Sequence, residues 1–430
     1  MPNPAIRLDS LTGIRFFAAA AVFGHHAGLY AADGEFSALA DGMVGVSLFY
    51  ILSGFVLTWT ARREDTLGAF YRRRLARIYP VFLLAWIISL GVNQIAQTAQ
   101  LTDLLVPSLL QSWFPWREVY FAGNAVFWSL AVEAFFYLVF PFLHRLLVDR
   151  ATRTIVLVML VAGAITVGVA ASTSGLPATD FTRWLTMIFP PLRLMEFVLG
   201  MGVGLLLRRG IRVPVPLWSA LVLCVVGYLL AQFVPETMAR YTITLLPFVL
   251  LVWTLAQADL SGRWSPFRSK AIVTGGAISY SFYLIHAMGL TIAFSFIRRA
   301  GVDVATIPDV ALWGLLLVIF VGCQVVAWLL HTFVETPFEA AFRTGWDGAR
   351  LRQAYARLFD RQMRAQNAAQ IRRRGGSQVR PVVADDGRAD DHGADPLGVA
   401  QPAADVDEGR VRGGGSGTLG GTLPLESRVD

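Results

Sequence analysis

The chain has 430 residues, of which 55% are hydrophobic and only 16% charged. Soluble domains carry about 25% charged residues, so this balance excludes an ordinary cytosolic fold and indicates a membrane protein. The formal charge of +7 is carried almost wholly by arginine, Lys270 being the single lysine; on so apolar a chain it points to membrane orientation and anionic lipid, with no nucleic-acid partner.

Ten stretches are long and apolar enough to be read as spans: 11–31, 43–61, 78–97, 122–143, 154–172, 186–207, 213–233, 241–258, 272–297 and 310–333. The first run is too long, and lacks the basic leader, for a cleavable signal peptide. Arginine collects in alternate loops: Arg62, Arg63 and Arg72 to Arg77; Arg145, Arg150 and Arg153; Arg208, Arg209 and Arg212; Arg263, Arg268 and Lys270. The intervening loops hold Asp33, Glu35, Asp41, Asp103, Asp180 and Glu236 with fewer arginines, so both termini are expected in the cytoplasm. The segment 104–116, LLVPSLLQSWFPW, is too short to cross and reads as interfacial or re-entrant. Residues 343–380 carry ten arginines against two acids, and Leu351, Tyr355, Leu358, Phe359 and Met363 share one helical stripe. That stripe suits an amphipathic helix on an anionic leaflet or a protein-binding helix. The domain plan is therefore a membrane-embedded unit over 1–337, a basic amphipathic segment over 338–380, and a disordered tail over 381–430.

Several ionisable residues lie where lipid should be. In the first span, Arg15 and His26 are eleven residues apart, which returns to within about 20° of one helical face over a rise of about 16 Å. His25 turns about 80° away from Arg15. A cation at the mouth and an imidazole deeper on one stripe suit a path that admits an anion and ends in proton chemistry; a packed histidine pair bonded to backbone carbonyls is the plainer alternative. Gly45 and the Ser53–Gly54 pair in GMVGVSLFYILSGFVLTW are read as helix-packing positions. In FYRRRLARIYP, Arg74 and Arg77 share a face and could hold phosphate, or could simply satisfy topology. Glu133 lies mid-span with Trp128 and Ser129 about one turn away; its carboxylate requires a partner or a proton. Arg193 and Glu196 are spaced to neutralise each other. Ser279, Tyr283 and His286 share a face of the ninth span, and Glu335 beside Pro337 reads as an interfacial anchor. Cys224 and Cys323 lie in apolar runs and suggest neither disulfide nor metal site, and no metal-ligand motif, Walker loop or nucleophile elbow is present in the sequence.

These stretches occur in a set order: RLDSLTGIRFFAAAAVFGHH, GVSLFYILSGF, RRRLARIYP, FWSLAVEAFFYLVFP, RLMEFVLG, ISYSFYLIH and FVETP. Taken together they resemble the acyltransferase 3 family of bacterial integral membrane proteins, from about Leu8 to Pro337. The resemblance implies an all-α fold of about ten transmembrane helices in the bacterial cytoplasmic membrane. It also implies an acyl-CoA donor, acetyl-CoA above all, as substrate rather than resident cofactor, and transfer to a hydroxyl of a sugar-containing acceptor. The family's R-x10-H motif falls on Arg15 and His26, its R-x-x-R motif on Arg74 and Arg77, and its buried glutamate on Glu133. Many relatives have Asp where this chain has Ser47. LTGIRFFAAAAVFGHH is further similar to actinobacterial members that acylate macrolide sugars.

The resulting expectation is an O-acyltransferase in which His26 is the general base, with Glu133 either orienting it or pairing with a buried cation. Arg15, Arg74 and Arg77 hold acyl-CoA, and Ser129, Tyr283, His286 and Arg193 are pocket candidates. Cell-envelope glycan, glycolipid and macrolide-type metabolite are the acceptor classes. A proton-coupled transporter or glycolipid flippase uses the same buried groups, but no inverted repeat or pair of broken helices is visible in the sequence. A membrane scaffold leaves the buried ionisable residues without a purpose.

Overall fold

The computed structural model describes residues 7–30, 41–62, 64–231, 233–234, 241–342, 348–358 and 360. Among them every regular element is helical. One compact unit covers Met1–Asn367; the other, Ala368–Asp430, lies outside the described residues, and with it the tail for which disorder is expected. Phe359 and Met363 of the amphipathic stripe, and the acidic loop 31–40, also lie outside them.

The main helices are α1 (Asp9–Gly28), α2 (Val44–Thr60), α3 (Leu67–Ala96), α4 (Phe127–Leu147), α5 (Thr152–Thr173), α6 (Pro190–Arg208), α7 (Leu217–Ala231), α8 (Tyr241–Leu260), α9 (Lys270–Ala277), α10 (Ser279–Arg299), α11 (Asp309–Leu330) and α12 (Thr336–Phe342). Seven helical stretches, counting Asp180–Arg208 and Asp309–Phe342 as continuous, are long and apolar enough to cross a membrane. The apolar helices α2 and α7 have 17 and 15 residues, short of the usual span. α1 is outside the seven because Arg15, His25 and His26 dilute its apolar character.

Two boundaries differ from the sequence reading in ways that matter for function. The third span was expected to begin at 78, with the arginine run before it. Instead α3 begins at Leu67, capped by Thr66 Oγ1 accepting from Ala69 N–H at 3.2 Å, and runs through Pro80 as one helix of 30 residues. The arginines therefore stand on a wall of the bundle. The ninth span is divided at Ile278 into α9 and α10. α9 packs closely on α1: a Cβ at Gly276 would lie 1.8 Å from the Thr12 carbonyl oxygen.

α6 is the central helix. The apolar window of Asp180–Arg208 is 83% buried, against 22% for α5 and for the α11 stretch, which present leucine and valine outward. α6 reaches α2 backbone to backbone. A Cβ at Gly200 would lie 1.9 Å from the Ile51 oxygen, and one at Gly54 would lie 2.0 Å from the Phe197 oxygen. The small-residue role expected of Gly54 is thus reciprocal, with glycine required on both helices.

The arginine-bearing loops meet at one end of the bundle. Arg208 donates to the Thr58 and Ala61 carbonyls at the end of α2, at 2.8 and 3.2 Å, satisfying groups that a helix terminus leaves open. Arg209 reaches the Val148 and Arg150 carbonyls, and Arg268 pairs with Asp259 at 2.7 Å. At the other end, 101–113 forms short 3-10 turns with Leu101, Leu104, Leu110 and Trp113 exposed. Buried Asp103 holds this segment, accepting from Gly123 N–H at 2.7 Å and Asn93 Nδ2 at 3.0 Å. The segment does not cross the bundle.

The α2–α6 contact is testable. Gly200→Ala should destabilise by about 1–3 kcal/mol, since backbone cannot yield as a side chain can. Gly168→Ala, with open space around its Cβ position, should be neutral or slightly stabilising. Thermal unfolding of the two variants in detergent makes the comparison.

Candidate active site

Three cavities line up along the bundle. The first opens at the arginine-rich end, with a volume of about 930 Å³ between α2, α3, α4 and α12. Its lining includes Arg62, Arg73, Arg74, Arg77 and Arg145 against Asp65, Asp149 and Glu339. Arg73 is already paired with Asp65 at 2.6 Å. The second, about 110 Å³, shares Arg74 and Arg77 with the first and continues inward past Arg15, Glu133, Tyr137 and Tyr280 to Ser129 and Tyr283. The third, about 620 Å³, opens at the opposite end and is lined by His26, Asn93, Asn124, Asp180 and Arg298 among others.

Arg15, Arg74 and Arg77 come together in the second cavity from two helices. None of the three donates a hydrogen bond to another described residue, and Arg74 Nε is buried without a partner. Two of them rest on aromatic faces instead: Arg15 over Phe49 at 5.9 Å, Arg74 over Phe70 and Tyr137 at 5.5 and 5.9 Å. The carboxylates whose fields reach Arg77 are Glu339, Glu335 and Glu133. Guanidinium groups that border a cavity with their donors unbonded have the chemistry to bind a phosphate or another multivalent anion.

Glu133 lies in this same cavity. Its Oε1 accepts from Tyr137 OH at 2.6 Å and from Ser53 Oγ at 3.2 Å. The structure does not bring it to His26. Of the two roles open to Glu133 in the sequence, orienting the imidazole and pairing with a buried cation, neither is seen as a direct contact: its partners are the two hydroxyls, and the arginines of the same cavity act on it only through space. Ser129 and Tyr283 do meet, Ser129 Oγ to Tyr283 OH at 2.7 Å, at the inner end of the cavity.

His26 faces the third cavity and is 7% exposed. Its Nδ1 lies 2.9 Å from the Val22 carbonyl oxygen, which can only accept, so Nδ1 carries the proton and Nε2 is left with a lone pair. The neighbouring group is His286, whose Nε2 is 3.2 Å from His26 Nδ1. His25, adjacent in sequence, turns its Cβ toward Gly42 and meets His26 edge-on at 5.2 Å. Arg15 and His26 thus face the bundle interior from one helix but open on different cavities, with Tyr283 and His286 in the wall between.

Arg193 lines none of these three cavities. It is 2% exposed, lies 3.1 Å from Glu196, donates to Ser47 Oγ at 3.0 Å and stacks over Tyr241 at 4.1 Å. Its place among the pocket candidates gives way to the ion pair that its spacing also suggested.

Other polar groups of the site were not singled out as such. Tyr137, four residues after Glu133, was within reach of a spacing argument. Ser53, beside the packing glycine Gly54, also donates to Glu133. Glu335 is no interfacial anchor: it is 3% exposed, in a π-helical turn over His331–Glu335, accepting from Ser281 Oγ at 3.0 Å with His331 Nδ1 at 2.9 Å. π-turns cluster at functional sites and leave no periodic signal in sequence.

The chain is a multi-pass helical bundle with an arginine-lined cavity on one side and His26 on a second cavity at the other. Residues 8–332 match the family model described as an acyltransferase domain, and the chain belongs to that family, acyltransferase 3. It is 36% identical over 361 residues to the acyltransferase MdmB of Streptomyces mycarofaciens, covering 78% of this chain and 93% of that one. It is 26% identical over 312 residues to BcsY of Komagataeibacter xylinus, named for a membrane-bound transacylase, covering 67% and 75% respectively. With the O-acetyltransferase OatA of Staphylococcus aureus it shares 24% identity over 181 residues, 37% of this chain and 29% of that one. No solved structure matches the chain.

The buried ion pair gives a stability test. Arg193→Met leaves Glu196 buried and unpaired and should cost about 3–5 kcal/mol, whereas Arg193→Met with Glu196→Leu should recover most of that loss. Thermal unfolding of both variants in detergent measures the difference.

Proposed function

We propose that this acyltransferase moves an acyl group, acetyl in the first instance, from acyl-CoA to a hydroxyl of a sugar-containing acceptor, with His26 as general base. The observation that carries this reading is the set of three guanidinium groups, Arg15, Arg74 and Arg77, which share a cavity and have no acceptor among the described residues. The phosphates of CoA supply the missing acceptors. The pantetheine arm enters the narrow second cavity and carries the thioester toward Ser129 and Tyr283. The acceptor hydroxyl comes from the opposite cavity and gives its proton to His26 Nε2 as its oxygen attacks the acyl carbon. The carbon–sulfur bond breaks, and the proton passes from His26 to the departing thiolate, giving free CoA and the ester. MdmB and OatA, by their names an acyltransferase and an O-acetyltransferase, support ester formation. The arginine-rich end faces the cytoplasm, where acyl-CoA is made, both termini lie there, and the membrane is the bacterial cytoplasmic membrane. Cell-envelope glycans, glycolipids and macrolide-type metabolites all offer the required sugar hydroxyl.

Arg74→Ala and Arg77→Ala should each weaken CoA binding by about tenfold or more, since a charge-assisted contact contributes about 1.5–3 kcal/mol. Arg→Lys should restore part of it, because a point charge lacks the bidentate fork. Unchanged affinity in the folded double alanine variant would leave the cluster with a purely topological role. Release of CoA thiol, followed with a thiol reagent in purified membranes, tests the base. His26→Gln should slow release by about 10²–10⁴-fold with donor binding retained, and His25→Ala should cost far less. Solute flux driven by a pH gradient, without CoA release, would replace the enzyme by a transporter.

A further inference from the structure

His26 lies at the junction of two helices, and its partners come from both. Val22, one turn earlier on α1, fixes the ring relative to its own helix. His286 reaches it from α10, Nε2 to Nδ1 at 3.2 Å, with ring centroids 5.1 Å apart. His286 is itself fully buried and tightly determined. Its Nδ1 lies 2.8 Å from the Tyr283 carbonyl and 3.3 Å from that of Phe282, and its ring stacks on Phe282 at 5.5 Å and 11°.

The hydrogen-bond inventory settles both tautomers. A carbonyl oxygen accepts and cannot donate, so His286 Nδ1 carries the proton and its neutral Nε2 is an acceptor. That acceptor faces His26 Nδ1, already the protonated nitrogen because of Val22. The His26 N–H is therefore shared between two acceptors, and its Nε2 remains the proton-free nitrogen. Among the described residues no carboxylate takes part: Glu133 is committed to Ser53 and Tyr137 in the neighbouring cavity.

The geometry points to His286 as a positioning residue for acyl transfer: it accepts the His26 Nδ1–H bond, holds the base in its reactive tautomer, and ties it to the wall of the donor cavity. The inference rests on the base role of His26 proposed above. The tie runs through one helical turn, because the residue whose carbonyl holds His286 is Tyr283, whose hydroxyl meets Ser129 at the inner end of the arginine-lined cavity. Val22 cannot provide this link, since it belongs to the same helix as His26. When His26 takes a proton on Nε2, its Nδ1–H becomes a charge-assisted donor, and His286 Nε2 is the acceptor that strengthens with it. This is the part an aspartate plays beside the histidine of a serine hydrolase, filled here by a neutral ring.

The test separates an acceptor from a mere space-filler. His286→Phe keeps a ring to stack on Phe282 but removes the acceptor, and should lower kcat by about 10- to 100-fold with the KM for acyl-CoA unchanged. His286→Gln places an amide oxygen near the position of Nε2 and should stay within a few-fold of the parent. In a His26→Gln background, both substitutions at 286 should have no further effect on kcat, because there is no base left to position. Parental kcat in His286→Phe, equal impairment of the Gln and Phe variants, or losses that multiply with His26→Gln would each overturn the assignment. High turnover by His26→Gln alone would instead remove the base role, a failure distinct from that of His286.

Discussion

Burial of arginine without a matching acceptor is the constraint around which this bundle is arranged. An unpaired cation taken from water costs several kcal/mol, more in a membrane than at a soluble surface. Arg15, Arg74 and Arg77 are kept at tolerable cost by three means. Aromatic faces of Phe49, Phe70 and Tyr137 lie against Arg15 and Arg74, the fields of Glu133, Glu335 and Glu339 reach the set, and their cavity continues into the open arginine-rich vestibule. None of these means uses up the hydrogen-bond donors. Glu133 is bonded to Ser53 and Tyr137 and Glu335 to Ser281 and His331, so these two carboxylates form no hydrogen bond with the three arginines.

Arg193 shows the alternative treatment of the same side chain. It sits on the central helix α6, where burial is deepest and no cavity opens beside it. Glu196, Ser47 and the Tyr241 ring close around it. Within one bundle, Arg193 is paired and enclosed, whereas Arg15, Arg74 and Arg77 border a cavity with no ion pair among the described residues. The α2–α6 glycine contact underlies both, since α2 carries Ser47 on its α6 side and Phe49 and Ser53 on the cavity side.

The narrow arginine-lined cavity and the cavity at the opposite end are kept apart by a wall of side chains. Ser129, Tyr283, His286 and His26 follow one another across it, joined by bonds of 2.7, 2.8 and 3.2 Å with the Tyr283 residue as the link.

Much was legible in sequence because membrane burial makes rules that act locally. Apolar length marked the helices, arginine asymmetry marked which loops share an end, and helical phase separated His26 from His25. The phase of Arg193 and Glu196 alone sufficed to pair them, since three residues along a helix set the distance whatever the neighbours do. What the sequence left open concerned contacts between helices. Which groups Glu133 meets, here the Ser53 and Tyr137 hydroxyls, depends on which face of α4 is packed against its neighbours. Whether Glu335 is anchor or buried acceptor depends on a π-turn that shifts register without altering composition. His286 and His26 stand 260 residues apart and lie on separate helices, and no periodicity within either helix encodes the 3.2 Å between their rings. Local pattern determined the helices and the kinds of side chain facing inward; only tertiary packing decided which of them touch, because those partners are chosen by the close approach of backbones far apart in the chain.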